Sequence, residues 1–428
     1  MTTEVSIFDR PFEVPADLAE AARESGFPQE IIERARELRV NRGIIEWWLK
    51  HDRPTPDEAR RYLAAREKLM FGTMHARLAT WNDDEALADL YANSPEDIGE
   101  WEVTVERSPY PFAQFRLQEH VAISVLEDSS VILAATADSS RNALVGGKRT
   151  GVHIASAWRV RKEFRGQGLS RLLRMAEGPA VGWFGAYNYY YIRSGNFGAL
   201  GWIKSFIPES VNAPAREGDV PGIPITVHHF DAARADGEAP GIRLAKRSDV
   251  RRCAALINRT HRGQDMFRPY STEYLEQRLD DPFWGEKPDF WVPVYGWPDY
   301  YVVEDGGRII ACGGLWDKGR HVREVWRNKE TGETRSFDST ALMDFGYAEG
   351  REDAMLRLIG HFIALTHQLG RSYLIAPLEQ LPKLVEKSEK LRPTTETRAL
   401  HFQSYSREKD EWIMATSLNR PYTDLAYW

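Results

Sequence analysis

The stretch Ala157-Trp158-Arg159-Val160-Arg161-Lys162-Glu163-Phe164-Arg165-Gly166-Gln167-Gly168-Leu169-Ser170-Arg171-Leu172-Leu173 decides how this 428-residue chain is read. Its start continues an apolar run, 152–160, that reads as a strand. Two glycines then break the run, and a helix is expected from about Leu169 to Glu177. Strand, glycine turn and helix in that order set consecutive backbone N–H groups at a helix N-terminus. Those donors have no partner inside the helix and lie at its positive end, so they suit an anion. Gly166 and Gly168 carry no β-carbon and let a phosphate come close to the main chain. Ser170 adds a hydroxyl, and Arg161, Lys162, Arg165, Arg171 and Arg174 add positive charge. No Gly-Lys-Ser/Thr follows, and G-x-G-x-x-G is absent, so the segment is neither a Walker loop nor a dinucleotide fingerprint. The ligand implied is a phosphate ester held mostly by main chain, not a magnesium nucleotide.

Working outward, His75–Thr80 reads as a short strand, and Asn82 as the cap of a helix carrying Ala86, Leu87, Leu90 and Tyr91 on one face. Residues 121–126 and 131–136 read as a hairpin turning at Glu127-Asp128-Ser129-Ser130. Residues 187–193, rich in tyrosine, and 223–230 read as further strands. The small, polar stretch 232–241 reads as a linker. Past it the chain repeats itself. Arg77-Leu78-Ala79 with Asn82-Asp83 is echoed by Arg243-Leu244-Ala245 with Ser248-Asp249, and Glu127-Asp128 with Ile132 and Ala134 is echoed by Glu304-Asp305 with Ile309 and Ala311. Two echoes in one order predict a duplicated domain.

Upstream, residues 1–72 read as a helical extension. Thr55, Pro56 and Glu58 form a capping box opening a helix over about 56–70. Trp47 and Trp48 read as the residues that dock it. Composition narrows the function classes. The 14 Trp, 17 Tyr and 18 Phe imply a substantial core, and a net charge of −7 argues against a general nucleic-acid binder. Cys253 and Cys312 have neither disulfide-framework nor zinc spacing, and read as small buried apolar residues. No metal is expected, because nothing has ligand spacing; His228 and His229, adjacent on a strand, point to opposite faces. No membrane span or signal peptide is read, and the cytoplasm is the default expectation.

Here the chain resembles the GNAT superfamily of N-acetyltransferases. The family's acyl-CoA motif, R/Q-x-x-G-x-G/A, stands as Arg165-Gly166-Gln167-Gly168-Leu169-Ser170, preceded by Trp158-Arg159-Val160 for its hydrophobic-x-Val. The element order over 75–206 also matches, and Asn196 with Ala199 matches the family's Asn-x-x-Ala. The resemblance covers 75–231 well and 242–428 through the repeat. It implies an α/β (α+β) architecture: two GNAT-like mixed-sheet domains in tandem, 73–231 and a degenerate 242–428, behind the extension 1–72. It further implies that amides from Gln167 to Arg171 hold the CoA pyrophosphate. Main chain at Trp158 and Val160 would pair with the pantetheine arm, and an amide near Val160 would polarise the thioester carbonyl. The cofactor-contact set is then Trp158, Val160, Arg161, Arg165, Gly166, Gln167, Gly168, Leu169, Ser170, Arg171 and Asn196.

Two departures stand out. Ser170 replaces the family's terminal Gly or Ala, and Ile203 occupies the place of the usual thiolate-protonating tyrosine. Either Tyr190, Tyr191 or another side chain substitutes, or the thiolate of the acidic CoA thiol leaves without a dedicated acid. In the second copy the turn reads 342–353, LMDFGYAEGRED, with three acids where a phosphate would sit, so CoA binding there is not expected.

An amine acceptor must lose a proton, so a base is needed. His153 is the first choice because imidazole titrates near neutrality, though it also reads as a strand histidine bonded to its surroundings. Ser156 is the other polar residue of that strand; Glu119 and Glu102 are further candidates. Tyr187, Tyr189, Tyr190 and Tyr191 read as a packed strand or as an aromatic wall, with Trp183, Phe184 and Trp202, for an apolar acceptor. The expected activity is acetyl transfer from acetyl-CoA to a small-molecule amine, which the net charge suggests is cationic. The rival readings are a non-catalytic acyl-CoA sensor, or an enzyme using another acyl-CoA or altered thioester chemistry. Oligomeric state is open, a homodimer included.

Overall fold

The computed structural model describes the chain apart from residues 1–23, 25, 39, 41–44, 46–47, 50–54, 108–114, 116, 171, 174–186, 194, 197, 201–221, 235–239, 281–292, 407–410, 416–417 and 428. Trp47, Arg171, Arg174, Glu177, Trp183, Phe184, Trp202 and Ile203 therefore lie outside the described residues. The first half contributes β1 (Met74–Leu78), β2 (Glu96–Ile98), β3 (Trp101–Arg107), β4 (Ala122–Asp128), β5 (Val131–Val145), β6 (Lys148–Val160), β7 (Tyr187–Arg193) and β8 (Ile223–Asp231). The second contributes β9 (Ile242–Leu244), β10 (Tyr300–Asp305), β11 (Arg308–Trp316), β12 (Val322–Asn328), β13 (Thr334–Phe337), β14 (Ser339–Tyr347), β15 (Tyr373–Ala376), β16 (Thr394–Ser406) and β17 (Glu411–Ala415). The helices used below are α1 (Gln29–Glu37), α2 (Pro56–Phe71), α3 (Asp84–Ala92), α4 (Val250–Thr260), α5 (Thr272–Asp280) and α6 (Glu352–Gln368).

The duplication read from the sequence is a physical repeat. In the first half β1-β4-β5-β6 run antiparallel and β6-β7 closes the series in parallel. In the second, β9-β10-β11-β14 run antiparallel and β14-β15 closes in parallel. The echoed residues explain themselves. Arg77 of β1 bonds Asp83 at 2.7 and 2.8 Å and Glu127 at 2.7 Å, tying the start of α3 to the β4 end. Arg243 of β9 bonds Asp249 at 2.7 Å and Glu304 at 2.8 Å in the same way. Asp83 and Asp249 each also accept from a backbone N–H three residues back, Thr80 or Lys246, at 2.7 and 2.8 Å. Asp83, not Asn82, thus carries the capping role: its carboxylate is one that both the backbone and Arg77 can share.

After each parallel pair the next strand is exchanged. β8 leaves the first half to lie antiparallel to β15, and β16 leaves the second to lie antiparallel to β7. The thirteen-residue β16 also pairs with β8, so both halves share one thirteen-stranded sheet. A smaller sheet, β13-β12-β3-β2, joins the halves again, with β12 in seven-residue register against β3. Sequence reasoning missed β2, β3, β12 and β13, which are partly exposed and rich in charged residues.

The capping box forms as read: the Glu58 N–H donates to Thr55 Oγ1 and the Thr55 N–H to Glu58 Oε2 at 2.8 Å. Trp48 is buried edge-on to Tyr62, with centroids 5.6 Å apart, in a core that α1 and α2 share with Leu126, Leu133, Leu169 and Leu172. The extension thereby packs on the glycine turn. Cys253 and Cys312 are buried and unbridged, with the Cys312 thiol 3.8 Å from the Cys253 carbonyl.

Candidate active site

β6 and β7 pair only from Val152–Ile154 to Tyr187–Tyr189; beyond that, β6 runs on to Val160 and β7 to Arg193 unpaired with each other. The strands part where β6 bulges. Ser156 faces Ala137, but Arg159 faces Ala135, and Ala157 takes φ +53°. A bulge re-aims main-chain groups; here the Ala157 carbonyl accepts from the Tyr91 hydroxyl at 3.2 Å. Between the parted strands lies a cleft of about 560 Å³. The parting leaves the Ala157–Val160 edge of β6 without a β7 partner. Its carbonyls are engaged: Trp158 accepts from Arg159 at 2.7 Å and Val160 from Arg165 at 3.3 Å, so an extended ligand could add to this edge only through N–H groups.

At the cleft's end comes the glycine turn. Gly166 and Gly168 take φ +75° and +74°, a region that side chains with a β-carbon rarely adopt. A β-carbon on Gly168 would stand 2.7 Å from the Tyr62 ring, so α2 also demands glycine there, whereas the space at Gly166 is open. A helix starts at Leu169, and Gly166, Gly168, Leu169 and Ser170 line the cleft. Gln167 is at the tip, its amide near the Glu163 carbonyl. The described cations of the segment are already engaged: Arg161 with Asp89 at 2.6 Å, Lys162 with Glu102 at 3.0 Å, Arg165 with the Pro95 carbonyl at 2.5 Å and Asp97 at 3.4 Å. Among the described residues, the main chain is what the turn offers an anion. Asn196 caps the next turn through the Ala199 N–H and bonds Glu96 at 3.2 Å.

The candidate catalytic residues divide. Ser156, Tyr190 and Tyr191 line the cleft. His153 does not: it is buried, Nε2 2.9 Å from Asp138 and Nδ1 3.0 Å from Asn188. Two side-chain partners thus occupy both ring nitrogens. Tyr189 belongs to the core rather than an aromatic wall. Glu119 is buried under the Tyr274 hydroxyl, and His229 sits against Glu396 at 3.3 Å.

Sequence reasoning missed the second half's share of the cleft wall. Lys318, Val322, Glu324 and Arg398 come from that half, on the turn before β12, on β12 itself and on the exchanged β16. Glu324 pairs with Arg193 and Arg398 with Glu396. Burial alone would raise Glu324, but Arg193, Arg398 and Lys318 hold it down at about 2. Burial pulls Lys318 down to about 8; Glu324 and Glu396 oppose this, and Arg398 and Arg193 add to it. No local signal marks Lys318: it follows a strand in an ordinary turn.

The fold has known counterparts. Solved structures of Saccharomyces cerevisiae N-myristoyltransferase with bound myristoyl-CoA match at TM-score 0.53 with 11% identity, covering 83% of this chain and 84% of that one. A second such structure matches at 0.51 with 12% identity, covering 78% and 83%. The chain shares the fold of these structures, in keeping with the fold expected from its GNAT resemblance. No family model and no curated protein matches the chain by sequence, so the GNAT likeness is one of fold. In the repeat, β6 with its bulge, the glycine turn and the helix at Leu169 correspond to β14 and α6 of the second copy.

Proposed function

We propose that the chain is an acyl-CoA-dependent N-acyltransferase acting through the first copy, with acetyl-CoA and a small-molecule amine as the expected pair. The observation that carries this is the parted β6–β7 edge ending in the Gly166–Gly168 turn. Turn amides from Gln167 onward would take the pyrophosphate, with Arg165, Gly166 and Ser170 shaping the turn, and Arg171 assigned there by sequence alone. Bulge amides between Trp158 and Val160 would pair with the pantetheine and donate to the thioester oxygen, a role a preplaced donor fills well. The solved neighbours hold myristoyl-CoA, which supports an acyl-CoA as cosubstrate.

The reaction balances simply. The neutral amine attacks the thioester carbon, its nitrogen lone pair forming the C–N bond. The C–S bond breaks, the nitrogen loses one proton to a base, and the thiolate takes up one proton to leave as CoA thiol. Lys318 lines the cleft and burial draws it down to about 8, so we assign it the base role in place of His153, whose two ring nitrogens are engaged by Asp138 and Asn188 and which does not line the cleft. Tyr190 and Tyr191, which line the cleft, would be the proton donors to the thiolate.

Isothermal titration of acetyl-CoA into the full chain tests the binding, and thiol release across an amine panel tests transfer. No binding at millimolar ligand rejects the proposal. Binding without thiol release moves the chain to the sensing reading. The mass of the CoA ester that copurifies identifies the acyl group.

A further inference from the structure

Arg107 ends β3, in register with Val322 of β12, and lines the cleft. Its guanidinium carbon lies 4.7 Å from the ring centroids of both Tyr91 and Phe115. Nε and Nη1 are buried and have no hydrogen-bond partner among the described residues. The other cleft arginines each have an acid: Arg159 with Glu96 at 2.5 Å, Arg165 with Asp97, Arg193 with Glu324, and Arg398 with Glu396. Ring faces attract the cation but do not replace hydrogen bonds, and buried N–H groups left unmade are costly. Burial draws the group down to about 10, which still leaves it charged at neutral pH. A planar fork of N–H donors matches a carboxylate two bonds at a time.

Position narrows the ligand. The Tyr91 ring that covers Arg107 sends its hydroxyl to the Ala157 carbonyl in the bulge. An anion on Arg107 would thus sit about one aromatic ring from the reacting thioester, while the pyrophosphate turn lies several residues further along β6. Six basic against three acidic side chains line this cleft among the described residues, the reverse of the chain's overall balance.

We infer that Arg107 seats a carboxylate carried by one of the two reactants, close to the carbon that is attacked. This rests on the acyl-CoA reading of the cleft. The carboxylate belongs either to an amino-acid acceptor, whose amine would then face the thioester, or to the far end of a short dicarboxylic acyl group.

Titrations into the full chain separate the sources. One arm compares L-amino acids with their carboxamides, with and without saturating CoA. The other compares succinyl-CoA with acetyl-CoA. In one arm the carboxylate member should bind about 10- to 100-fold more tightly, as for a charged hydrogen-bonded pair. Arg107→Met should erase that preference and Arg107→Lys should keep part of it; circular dichroism checks that both fold, and the wild-type comparison stands if they do not. Equal binding within both pairs, or a preference that survives in Arg107→Met, overturns the inference. So does an equal loss of acetyl-CoA affinity in Arg107→Met, which would give Arg107 to the cofactor. If wild type binds no acetyl-CoA yet prefers amino acids to carboxamides, the acyl-CoA reading fails and the Arg107 site stands.

Discussion

The two halves of this protein make the same bulge and use it differently. Parallel pairing stops at Ile154 with Tyr189 in the first half and at Ala341 with Ile375 in the second. The bulge residue comes three positions later, Ala157 at φ +53° and Asp344 at φ +47°, and in each case a tyrosine hydroxyl caps its carbonyl: Tyr91 at 3.2 Å, Tyr300 at 2.9 Å. In the first half the bulge borders open space. In the second, the Asp344 carboxylate is buried, accepting from Arg278 at 2.8 Å and from the Tyr270 hydroxyl at 2.6 Å. A β-carbon on Gly346 would strike the α4 backbone at Ile257 within 2.4 Å, so that helix presses directly on the strand. The helix N-termini differ too. α6 starts with Glu352 and Asp353, which satisfy its positive end internally, whereas the first copy's helix starts with Leu169 and Ser170. One copy packs its bulge into the core, and the other leaves its bulge beside an open cleft.

That contrast can be broken by experiment. Asp344→Ala should cost the most, about 3–5 kcal/mol, because it leaves the buried Arg278 without its close partner; urea unfolding measures it, and a loss under 1 kcal/mol would mean the second bulge is not held by this pair. Lys318→Gln should lower kcat by roughly 100-fold, the smaller end of what a positioned base contributes. Activity should rise with pH through about 8 in wild type, since only the neutral amine accepts a proton, and this limb should vanish in the variant. A persisting limb assigns the base elsewhere. Gly166→Asp should weaken acetyl-CoA binding by about 100-fold through charge and a strained φ, with no clash to confuse the result. Gly350→Asp, at φ +75° and equally open, should leave that affinity within about twofold. Equal losses at the two glycines would end the functional distinction between the copies.

The smallest effect tests the likeness rather than the difference. Arg77→Ala and Arg243→Ala should each cost about 1 kcal/mol, as half-exposed bridges do. Arg77 holds the Asp83 carboxyl below its usual range. A carboxylate lowered on folding stabilises above its unfolded pKa and loses that contribution as pH falls through the folded one. The gap between wild type and Arg77→Ala should therefore be full at pH 7 and shrink below about pH 4. A gap independent of pH would show that packing of the arginine stem, not its charge, carries the effect.

Much of this was legible in the chain. Strand β7 begins and ends where its tyrosine-rich run does, and the Thr55–Glu58 box opens α2. The arginine–aspartate–glutamate echo was visible because each triangle links residues whose spacing repeats almost unchanged. His153 misled because a histidine beside a motif looks like a base until Asp138 and Asn188 are found on both its nitrogens. The net charge pointed to a cationic acceptor because a chain-wide sum carries no information about which charges face one cleft.

What the sequence determined by itself is local: periodic strands, a glycine turn that tolerates positive φ, a capped helix, a pattern used twice. These depend on neighbours within a few residues, where side-chain type and backbone preference suffice. The exchange of β8 and β16, and the meeting of Arg107 with Lys318, Glu324 and Arg398, were decided only in three dimensions. Strand edges pair through backbone groups that every residue shares, so the choice of partner lies in how the two whole copies pack.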